Sequence, residues 1–327
     1  MIGLPPAVWR EIDDALEVAL ERLRVRSAAL GEASAALGDA TAASATGGKR
    51  LRPALVVAAF VVHDDLIDGD VERRGIPNVV GRFRERARVR GGDEDESRLL
   101  GSAAAVLAGD LLLFEATRLI ATAPVTSPQR AALFVLLDDA VLVSAAGGLA
   151  DVEQSIGADL PPTDTLLRTA RDKTAFYSFQ APLAAGALLA GANDDQRAAL
   201  EAAGSAIGVA FQLADDLIGT FGTRAEAGRE PGADLRASKR TPLIAMAAET
   251  EAWPQIASAL AMAPTGPIAI EHAQRELAAS GARERTVEMI AQTLRSARTL
   301  AADAALPRDA VVLLAALAAA VEDRIPR

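Results

Sequence analysis

The sequence Ala58-Ala59-Phe60-Val61-Val62-His63-Asp64-Asp65-Leu66-Ile67-Asp68 places a cluster of aspartates directly after an apolar run. On a helix, Asp64 and Asp68 are four residues apart and project from one face. Carboxylates beside a buried stretch are costly unless they are paired, so their convergence indicates a bound cation. Mg²⁺ suits such a site, because it takes one or two protein carboxylates and completes its shell with water and phosphate.

A second aspartate cluster, Asp215-Asp216-Leu217-Ile218-Gly219, follows another apolar stretch that the spacing predicts to be helical. Two such helices facing one cavity would hold a metal–diphosphate group between them. Cations that match phosphate oxygens accompany both clusters. They lie in Gly47-Gly48-Lys49-Arg50-Leu51-Arg52-Pro53, Glu72-Arg73-Arg74-Gly75, Lys173-Thr174 and Ser238-Lys239-Arg240-Thr241. A simple metal-binding surface would not need these arginines and lysines.

These motifs in this order resemble the trans-type polyprenyl diphosphate synthases, and the similarity covers about two thirds of the chain. Three further stretches contribute to it, namely Gly109-Asp110, Phe211-Gln212-Leu213-Ala214-Asp215-Asp216 and Asp234-Leu235. The resemblance implies an all-α fold, a bundle of mostly antiparallel helices around a deep central cavity in which the aspartate-rich helices face each other. It also implies a single synthase domain over residues 1–327 and, as is usual in the family, a homodimer.

Composition agrees with a globular enzyme, since 50% of the 327 residues are hydrophobic and 24% are charged. Long apolar stretches from Leu99 to Leu119 and from Ala131 to Leu149 lack the alternation of strands and predict helices. Glu94-Asp95-Glu96, after two glycines, is typical of a solvated loop.

The longest uninterrupted apolar run, Ala310 to Val321, is shorter than the ~20 residues that cross a bilayer, so we expect no transmembrane segment. The first residues lack the features of a signal peptide, which favours a cytoplasmic protein. The sequence contains no cysteine, which removes disulfides and thiolate zinc sites. A net charge of −10 argues against nucleic acid as a partner.

The resemblance implies an Mg²⁺-dependent prenyltransferase. An allylic diphosphate (dimethylallyl, geranyl, farnesyl or longer) loses diphosphate, and isopentenyl diphosphate attacks the resulting carbocation through its double bond. Loss of a proton then leaves an all-trans polyprenyl diphosphate that is one isoprene unit longer. About two or three Mg²⁺ ions bridging the substrate diphosphate would neutralise the departing charge.

The resemblance also assigns roles residue by residue. Asp64, Asp68 and Asp215 would bind metal, and Asp65 and Asp216 would assist them or orient water. The isopentenyl diphosphate would be held by Lys49, Arg52 and Arg74, beside the close-approaching backbone of Gly48. The allylic or departing diphosphate would be held by Arg73, Lys173, Thr174, Gln212 and Lys239. Phe211 either offers its ring face to the carbocation or is a packed core residue, and its apolar spacing favours the core.

The sequence departs from the family pattern in two places. Gly219 stands where many members have a third aspartate, although a subgroup with similar glycine-rich sequence shares the glycine. Only ten residues separate Pro53 from Asp64, where the family has most of two helices and a loop, and the upstream histidine for isopentenyl diphosphate is missing. We therefore expect that a mobile segment is left out of the chain near Phe60-Val61. A true deletion there would remove a cavity wall and activity, and product length cannot be predicted without that segment.

Two other classes of protein remain open. A class I terpene cyclase ionises a similar diphosphate, but it would not need a second diphosphate site at Gly48-Lys49 to Arg52. Its second metal motif also usually has Asn, Ser or Thr and Glu in place of Asp215-Asp216. A non-catalytic partner subunit of a synthase commonly loses the first aspartate cluster or its arginines, and this chain keeps both.

Overall fold

A computed structural model describes residues 6–45, 54–73, 75–157, 159–227, 230–303 and 306–326. The predicted substrate-binding residues Gly48, Lys49, Arg52 and Arg74 lie outside these ranges. Throughout the described ranges the secondary structure is helical except for one two-stranded hairpin, which confirms the all-α class. The chain divides into two compact units, Met1–Val135 and Leu136–Arg327. A single synthase domain over the whole chain stays a prediction.

The first unit consists of helices joined by short turns and one hairpin. Its elements are α1 (Pro6–Ala28), α2 (Glu32–Ala45), α3 (Ala54–Ile67), β1 (Glu72–Arg73), β2 (Ile76–Pro77), α4 (Val79–Val89), α5 (Glu94–Thr122) and the beginning of α6 (Ser127–Gln154). Helix α3 packs against α5, and their shared core includes the fully buried Val62, Ala105 and Leu112. This packing buries the apolar run that precedes the first aspartate cluster.

Helix α3 passes through Phe60 and Val61 as part of one continuous helix of 14 residues. No loop separates the apolar run from the aspartates in the chain as given, and a further segment near Phe60-Val61 stays a prediction. The first cluster is carried by the last turn of a helix that begins at Ala54.

Helix α5 begins with a capping box, in which the Asp93 side chain accepts from the Glu96 N–H and the Glu96 side chain accepts from the Asp93 N–H. This arrangement satisfies two backbone donors that a helix start leaves unpaired. The prediction of a solvated loop at Glu94-Asp95-Glu96 was wrong, because these residues form the first turn of α5, where acidic side chains favour the helix dipole.

The second unit contains the end of α6 and eleven further helical elements among its described residues, apart from a short 3₁₀ turn. They are α7 (Thr163–Ala170), a π-helix (Arg171–Gln180), α8 (Ala181–Leu189), α9 (Asp194–Phe221), α10 (Arg224–Ala227), α11 (Ala233–Arg236), α12 (Pro242–Ala248), α13 (Trp253–Met262), α14 (Pro267–Ala279), α15 (Ala282–Asp303) and α16 (Arg308–Glu322). Helix α9 carries the second aspartate cluster and contacts the π-helix, α15 and α16.

Small residues let these helices approach α9 closely. A Cβ added at Gly208 would lie 2.4 Å from the Ala175 Cβ in the π-helix. On the same helix, Ile207, Leu213 and Leu217 are fully buried. Apolar packing therefore fixes the rotation of α9 and with it the directions of its aspartates.

Helices α5 and α6 are each long and apolar enough to cross a membrane, judged by length and composition alone. Within the fold, 44% of the apolar window of α5 and 22% of that of α6 is buried. The expectation of no transmembrane segment, which rested on the longest uninterrupted apolar run, is therefore not confirmed.

Candidate active site

The first aspartate cluster lies at the end of α3 in the first unit. Asp64 is half-buried, Asp65 is buried at 4% exposure, and Asp68 is exposed just beyond the helix. The Asp68 N–H donates to the Asp64 carbonyl oxygen at 2.8 Å, which continues the helical pattern by one residue. The four-residue spacing therefore keeps these two aspartates on the same side of the helix, as predicted.

Asp65 differs from its neighbours because it is bound by an arginine. Arg73 donates from Nε and Nη2 to the Asp65 Oδ1, at 2.9 and 2.6 Å. Burial raises the pKa of the Asp65 carboxyl, and the hydrogen bonds from Arg73 offset only part of that effect. Asp65 was predicted to assist the metal ligands or orient water. That role stays a prediction, and the structure pairs Asp65 with Arg73, the arginine predicted to hold the allylic diphosphate.

A hairpin returns Arg73 to the end of α3. Strand β1 pairs with β2 in an antiparallel register, with Arg73 opposite Ile76, and Gly75 adopts the positive φ of 73° that the turn requires. Asn78 then closes the loop, since its side chain donates to the Asp70 carbonyl oxygen at 2.8 Å and accepts from the Gly81 N–H at 2.9 Å. Hydrogen bonds between the Asn78 side chain and backbone groups therefore hold the loop that follows the first cluster.

His63 stands beside the cluster and faces α5. Its Nε2 lies 4.0 Å from Oδ1 of Asp110, and a Cβ added at Gly109 would lie 1.9 Å from the same nitrogen. The glycine is therefore required where the imidazole crosses α5. This close approach explains why Gly109-Asp110 belongs to the motif, and it agrees with a structural role for His63.

The second aspartate cluster lies on α9 in the second unit. Asp215 is half-buried and Asp216 is buried, and the Gln212 side chain donates to the Asp216 Oδ1 at 2.9 Å. Burial, followed by the charge of Asp234, raises the pKa of Asp216 to about 8. A carboxyl in this position binds a proton at neutral pH when no cation is near.

Asp234 brings a third carboxylate to this region from the short helix α11. It is 4% exposed, and the Lys239 Nζ lies 3.9 Å from its Oδ1. The intervening chain turns sharply at Ser238, whose φ is 53°, and the Lys239 N–H donates to the Asp234 carbonyl oxygen at 2.9 Å. The turn therefore directs the predicted diphosphate-binding lysine back toward the second cluster.

Lys173 lies in the π-helix, where its Nζ donates to Oδ2 of Asp151 at 2.7 Å. The backbone of α6 approaches this residue closely, because a Cβ added at Gly147 would lie 2.3 Å from the Lys173 nitrogen. Thr174, the next predicted residue, is buried. A π-helix changes the helical register locally, which is frequent at functional sites.

Phe211 packs on α9 against Phe179 of the π-helix, with ring centroids 5.5 Å apart and a tilt of 50°. Its other neighbour is Arg324, whose Cζ lies 4.6 Å from the ring centroid. The same guanidinium donates from Nη2 to the Asp215 Oδ1 at 2.5 Å. The half-buried Phe211 thus packs against another ring and a guanidinium, and its predicted contact with the carbocation stays a prediction.

The chemistry of the second cluster fits Mg²⁺. Asp215, Asp216 and Asp234 are hard oxygen donors whose mutual repulsion contributes to the raised Asp216 pKa, and Arg324 already acts as a cation at Asp215. Among the described residues, no three Asp, Glu or His side chains converge closely enough to hold a metal without other ligands. A metal here would therefore complete its coordination with oxygens from water or from a bound phosphate.

The sequence analysis assigned no role to Asp151, Asp234 or Arg324. Asp234 lies within a stretch that carries the family resemblance, which is a signal that could have identified it. Asp151 and Arg324 lie in no recognised motif, and each contacts its partner across a long separation in sequence, 22 residues for Lys173 and 109 for Asp215.

Comparisons with known proteins identify the family of this chain. The family model for polyprenyl synthetase matches residues 55–277, so the chain belongs to the polyprenyl synthetase family. The match includes both aspartate clusters, the Arg73 hairpin, and the two lysines at positions 173 and 239.

Individual relatives are similar over part of their length. The geranylgeranyl diphosphate synthase of Sulfolobus acidocaldarius is 28% identical over 225 residues, covering 61% of this chain and 62% of the relative. The (2E,6E)-farnesyl diphosphate synthase of Mycobacterium tuberculosis is 34% identical over 218 residues, covering 59% of this chain and 55% of the relative. The chain thus spans about three fifths of these relatives.

A solved structure is similar over almost the whole chain. It is the geranylgeranyl pyrophosphate synthase from Corynebacterium glutamicum complexed with isoprenyl diphosphate and magnesium. The TM-score is 0.89 at 26% identity, covering 96% of this chain and 98% of that one.

Proposed function

We propose that the protein is a prenyltransferase that condenses an allylic diphosphate with isopentenyl diphosphate and releases diphosphate and a longer all-trans polyprenyl diphosphate. The observation that carries this proposal is the gathering of Asp215, Asp216 and Asp234 beside Lys239, where the pKa of Asp216 is raised to about 8. Lys239 and Arg324 offset part of this negative charge, and a bound metal–diphosphate group would supply the remaining positive charge. Membership of the polyprenyl synthetase family supports the same activity.

In this proposal the side chains prepare the diphosphate for departure. Asp64 and Asp68 in the first unit and Asp215 in the second would hold Mg²⁺, which supplies Lewis acid stabilisation of the departing diphosphate. Lys173, positioned by Asp151, and Lys239, positioned by Asp234, would donate to phosphate oxygens on which charge develops as the C–O bond breaks.

Arg73 would add a further cation at the first cluster. Its guanidinium is held by Asp65 and its side chain is 44% exposed, so N–H groups remain directed away from the carboxylate. In this proposal Asp65 is a positioning residue, because it fixes the arginine. The ion pair with Arg73 also explains why the carboxylate of Asp65 is buried, although Asp68, three residues later, is exposed.

The substrates of this proposal are isopentenyl diphosphate and an allylic diphosphate such as dimethylallyl, geranyl or farnesyl diphosphate. Support comes from the relatives, which are geranylgeranyl and farnesyl diphosphate synthases. The Corynebacterium glutamicum structure was solved with isoprenyl diphosphate and magnesium, which supports the same type of ligand and metal here.

We also propose that the protein is a homodimer. On α6, the large apolar residues Val135, Leu142 and Leu149 recur every seven residues and are 60%, 66% and 62% exposed. A seven-residue apolar repeat favours packing against another helix, and a second copy provides one without a foreign partner. Analytical ultracentrifugation of the purified chain tests this: a dimer that L142E converts to monomer supports the proposal, and a monomeric wild type or association only with vesicles contradicts it.

A non-catalytic partner subunit is a second candidate, and one observation favours it. Helix α3 is continuous through Phe60 and Val61, where the family pattern has most of two helices and a loop. A chain that retains both aspartate clusters but lacks that segment could bind a diphosphate without elongating it.

One assay separates these functions. The purified chain is incubated with labelled isopentenyl diphosphate and each allylic primer, in Mg²⁺ and in a chelator, and the products are separated by length. Mg²⁺-dependent elongation supports the prenyltransferase. A cyclised hydrocarbon from the allylic substrate alone would identify a cyclase. Diphosphate binding without any product would favour the partner subunit.

A further inference from the structure

The end of the second unit carries an arginine that the proposed reaction does not use. Arg324 lies two residues beyond α16, and its Nη2 donates to the Asp215 Oδ1 at 2.5 Å. Asp215 is the proposed metal ligand of the second cluster. A positive charge of the protein therefore already occupies the carboxylate that a metal would need.

Aromatic rings determine where this guanidinium lies. Its Cζ is 4.6 Å from the centroid of Phe211, which in turn packs against Phe179. A guanidinium over a ring face is attracted by the ring quadrupole, and the planar group suits stacking. Arg324 is thus held between a carboxylate and an aromatic face.

Residues on both sides of Arg324 are anchored to α15. Arg298 donates to both carboxylate oxygens of Glu322 at 2.9 and 2.8 Å, and Arg283 donates to the Pro326 carbonyl oxygen at 2.9 Å. Helix α15 packs against α9, which carries Asp215. The contact between Arg324 and Asp215 is therefore supported by the fold on either side of the arginine.

The ion pair between Arg324 and Asp215 is nevertheless accessible to a metal ion that would replace the guanidinium. The Arg324 and Asp215 side chains are 30% and 43% exposed, so water weakens their attraction. The buried Nε of Arg324 also has no hydrogen-bond partner among the described residues, so the guanidinium is only partly satisfied. A divalent cation carries twice the charge of the guanidinium and would repel it at the same carboxylate.

We propose that Arg324 is an internal counter-ion, which neutralises Asp215 in the metal-free protein and competes with the metal for that carboxylate. Metal binding at Asp215 then displaces the guanidinium and loosens the segment 322–326. The inference rests on the proposed role of Asp215 in binding metal.

The first test measures metal affinity without substrate. Mn²⁺ alone, followed by electron paramagnetic resonance, is titrated into the full-length wild type and R324A. The proposal predicts that R324A binds Mn²⁺ about fivefold or more tightly, because a competing charge is removed. R324K retains a cation and should remain closer to the wild type. The control R295A removes an exposed arginine of α15 that pairs with Glu288 on the same helix, and it should leave the affinity within about twofold.

The second test measures hydrogen exchange in the same segment. The Arg324 N–H donates to the Val321 carbonyl oxygen at 3.0 Å, so its exchange reports on the order of the chain there. Saturating Mn²⁺ should accelerate this exchange in the wild type and have little effect on it in R324A.

Unchanged Mn²⁺ affinity in R324A, together with loss of binding in D215N, would overturn the competition while leaving the proposed function intact. If no variant binds Mn²⁺ and the wild type elongates no primer, both the competition and the proposed function are wrong.

Discussion

Arg73 donates two hydrogen bonds to a single oxygen of Asp65, eight residues earlier in the chain. The carboxylate is 5% exposed and the guanidinium 44% exposed, so the pair joins the interior of the first unit to its surface. This contact gives the central aspartate of the first cluster a purpose different from that of Asp64 and Asp68. It holds a cation in place, whereas Asp64 and Asp68 are the proposed metal ligands.

Replacing Asp65 should therefore affect stability as well as activity. D65A leaves Arg73 without its carboxylate, and we expect the free energy of unfolding to fall by about 1 to 2 kcal/mol, since the arginine is only partly buried. Urea denaturation monitored by circular dichroism measures the change. The matched control is D95A, which removes an exposed ion pair with Arg98 and should cost less than about 0.5 kcal/mol. Equal losses in the two variants would contradict the assigned role of Asp65.

The glycine at position 109 is predicted to be necessary because His63 crosses α5 there. In G109A the new Cβ would lie 1.9 Å from the imidazole nitrogen, so the ring of His63 must shift. We expect lower stability and a decrease in elongation rate that exceeds the loss of folded protein. In the control G186A, the added Cβ would meet no atom within 4 Å on an exposed helix, and the substitution should be neutral or stabilise by up to about 1 kcal/mol. Similar behaviour of the two variants would argue against the tight crossing.

The two aspartate clusters should not tolerate substitution equally. We expect D64A to lower the elongation rate more completely than D216A, because the first helix retains the fuller set of metal ligands and Asp216 is held by Gln212. Loss of a charged group that stabilises the departing diphosphate typically costs about 100-fold or more in rate. Steady-state rates at saturating substrates provide the comparison, with D139A as a control for an exposed aspartate. Equal residual rates in D64A and D216A would contradict this ranking.

Asp216 should make the metal-free protein less stable as the pH rises. Its pKa is raised from 3.8 to about 8, so the folded state binds this proton more tightly than the unfolded state does. Between these two pH values, the free energy of unfolding should fall with increasing pH, by at most about 1.4 kcal/mol per pH unit from this group. D216N removes the group and should flatten the profile. Urea denaturation in a chelator at pH 5, 7 and 9 measures both proteins, and parallel profiles would show that the group is not perturbed.

Sequence periodicity was sufficient to predict the helical class, the long helices α5 and α6 and the helical position of both aspartate clusters. Local spacing determines these features, because apolar residues recur with the helical period around Leu112 and Leu213. It could not predict that Asp65 binds Arg73, since that contact depends on a hairpin that turns at Gly75. The pairing of Lys173 with Asp151 depends likewise on a π-helix, and that of Asp215 with Arg324 on packing between distant helices.

The predicted segment near Phe60 stays a prediction. Helix α3 is continuous there because the apolar residues from Ala54 to Val62 continue one helical pattern into the aspartates. The short spacing distinguishes the chain from the family pattern at the place where that pattern has additional structure.

The central claim is that both aspartate clusters act on the same metal–diphosphate group, and a double-mutant cycle tests it most directly. The affinity for inorganic diphosphate in saturating Mg²⁺ is measured by calorimetry for the wild type, D64N, D215N and the double variant. If both clusters serve one group, the double variant should lose little more than either single variant, with a coupling energy above about 1 kcal/mol. Losses that add within about 0.5 kcal/mol would mean that the clusters act independently, and the account would be contradicted.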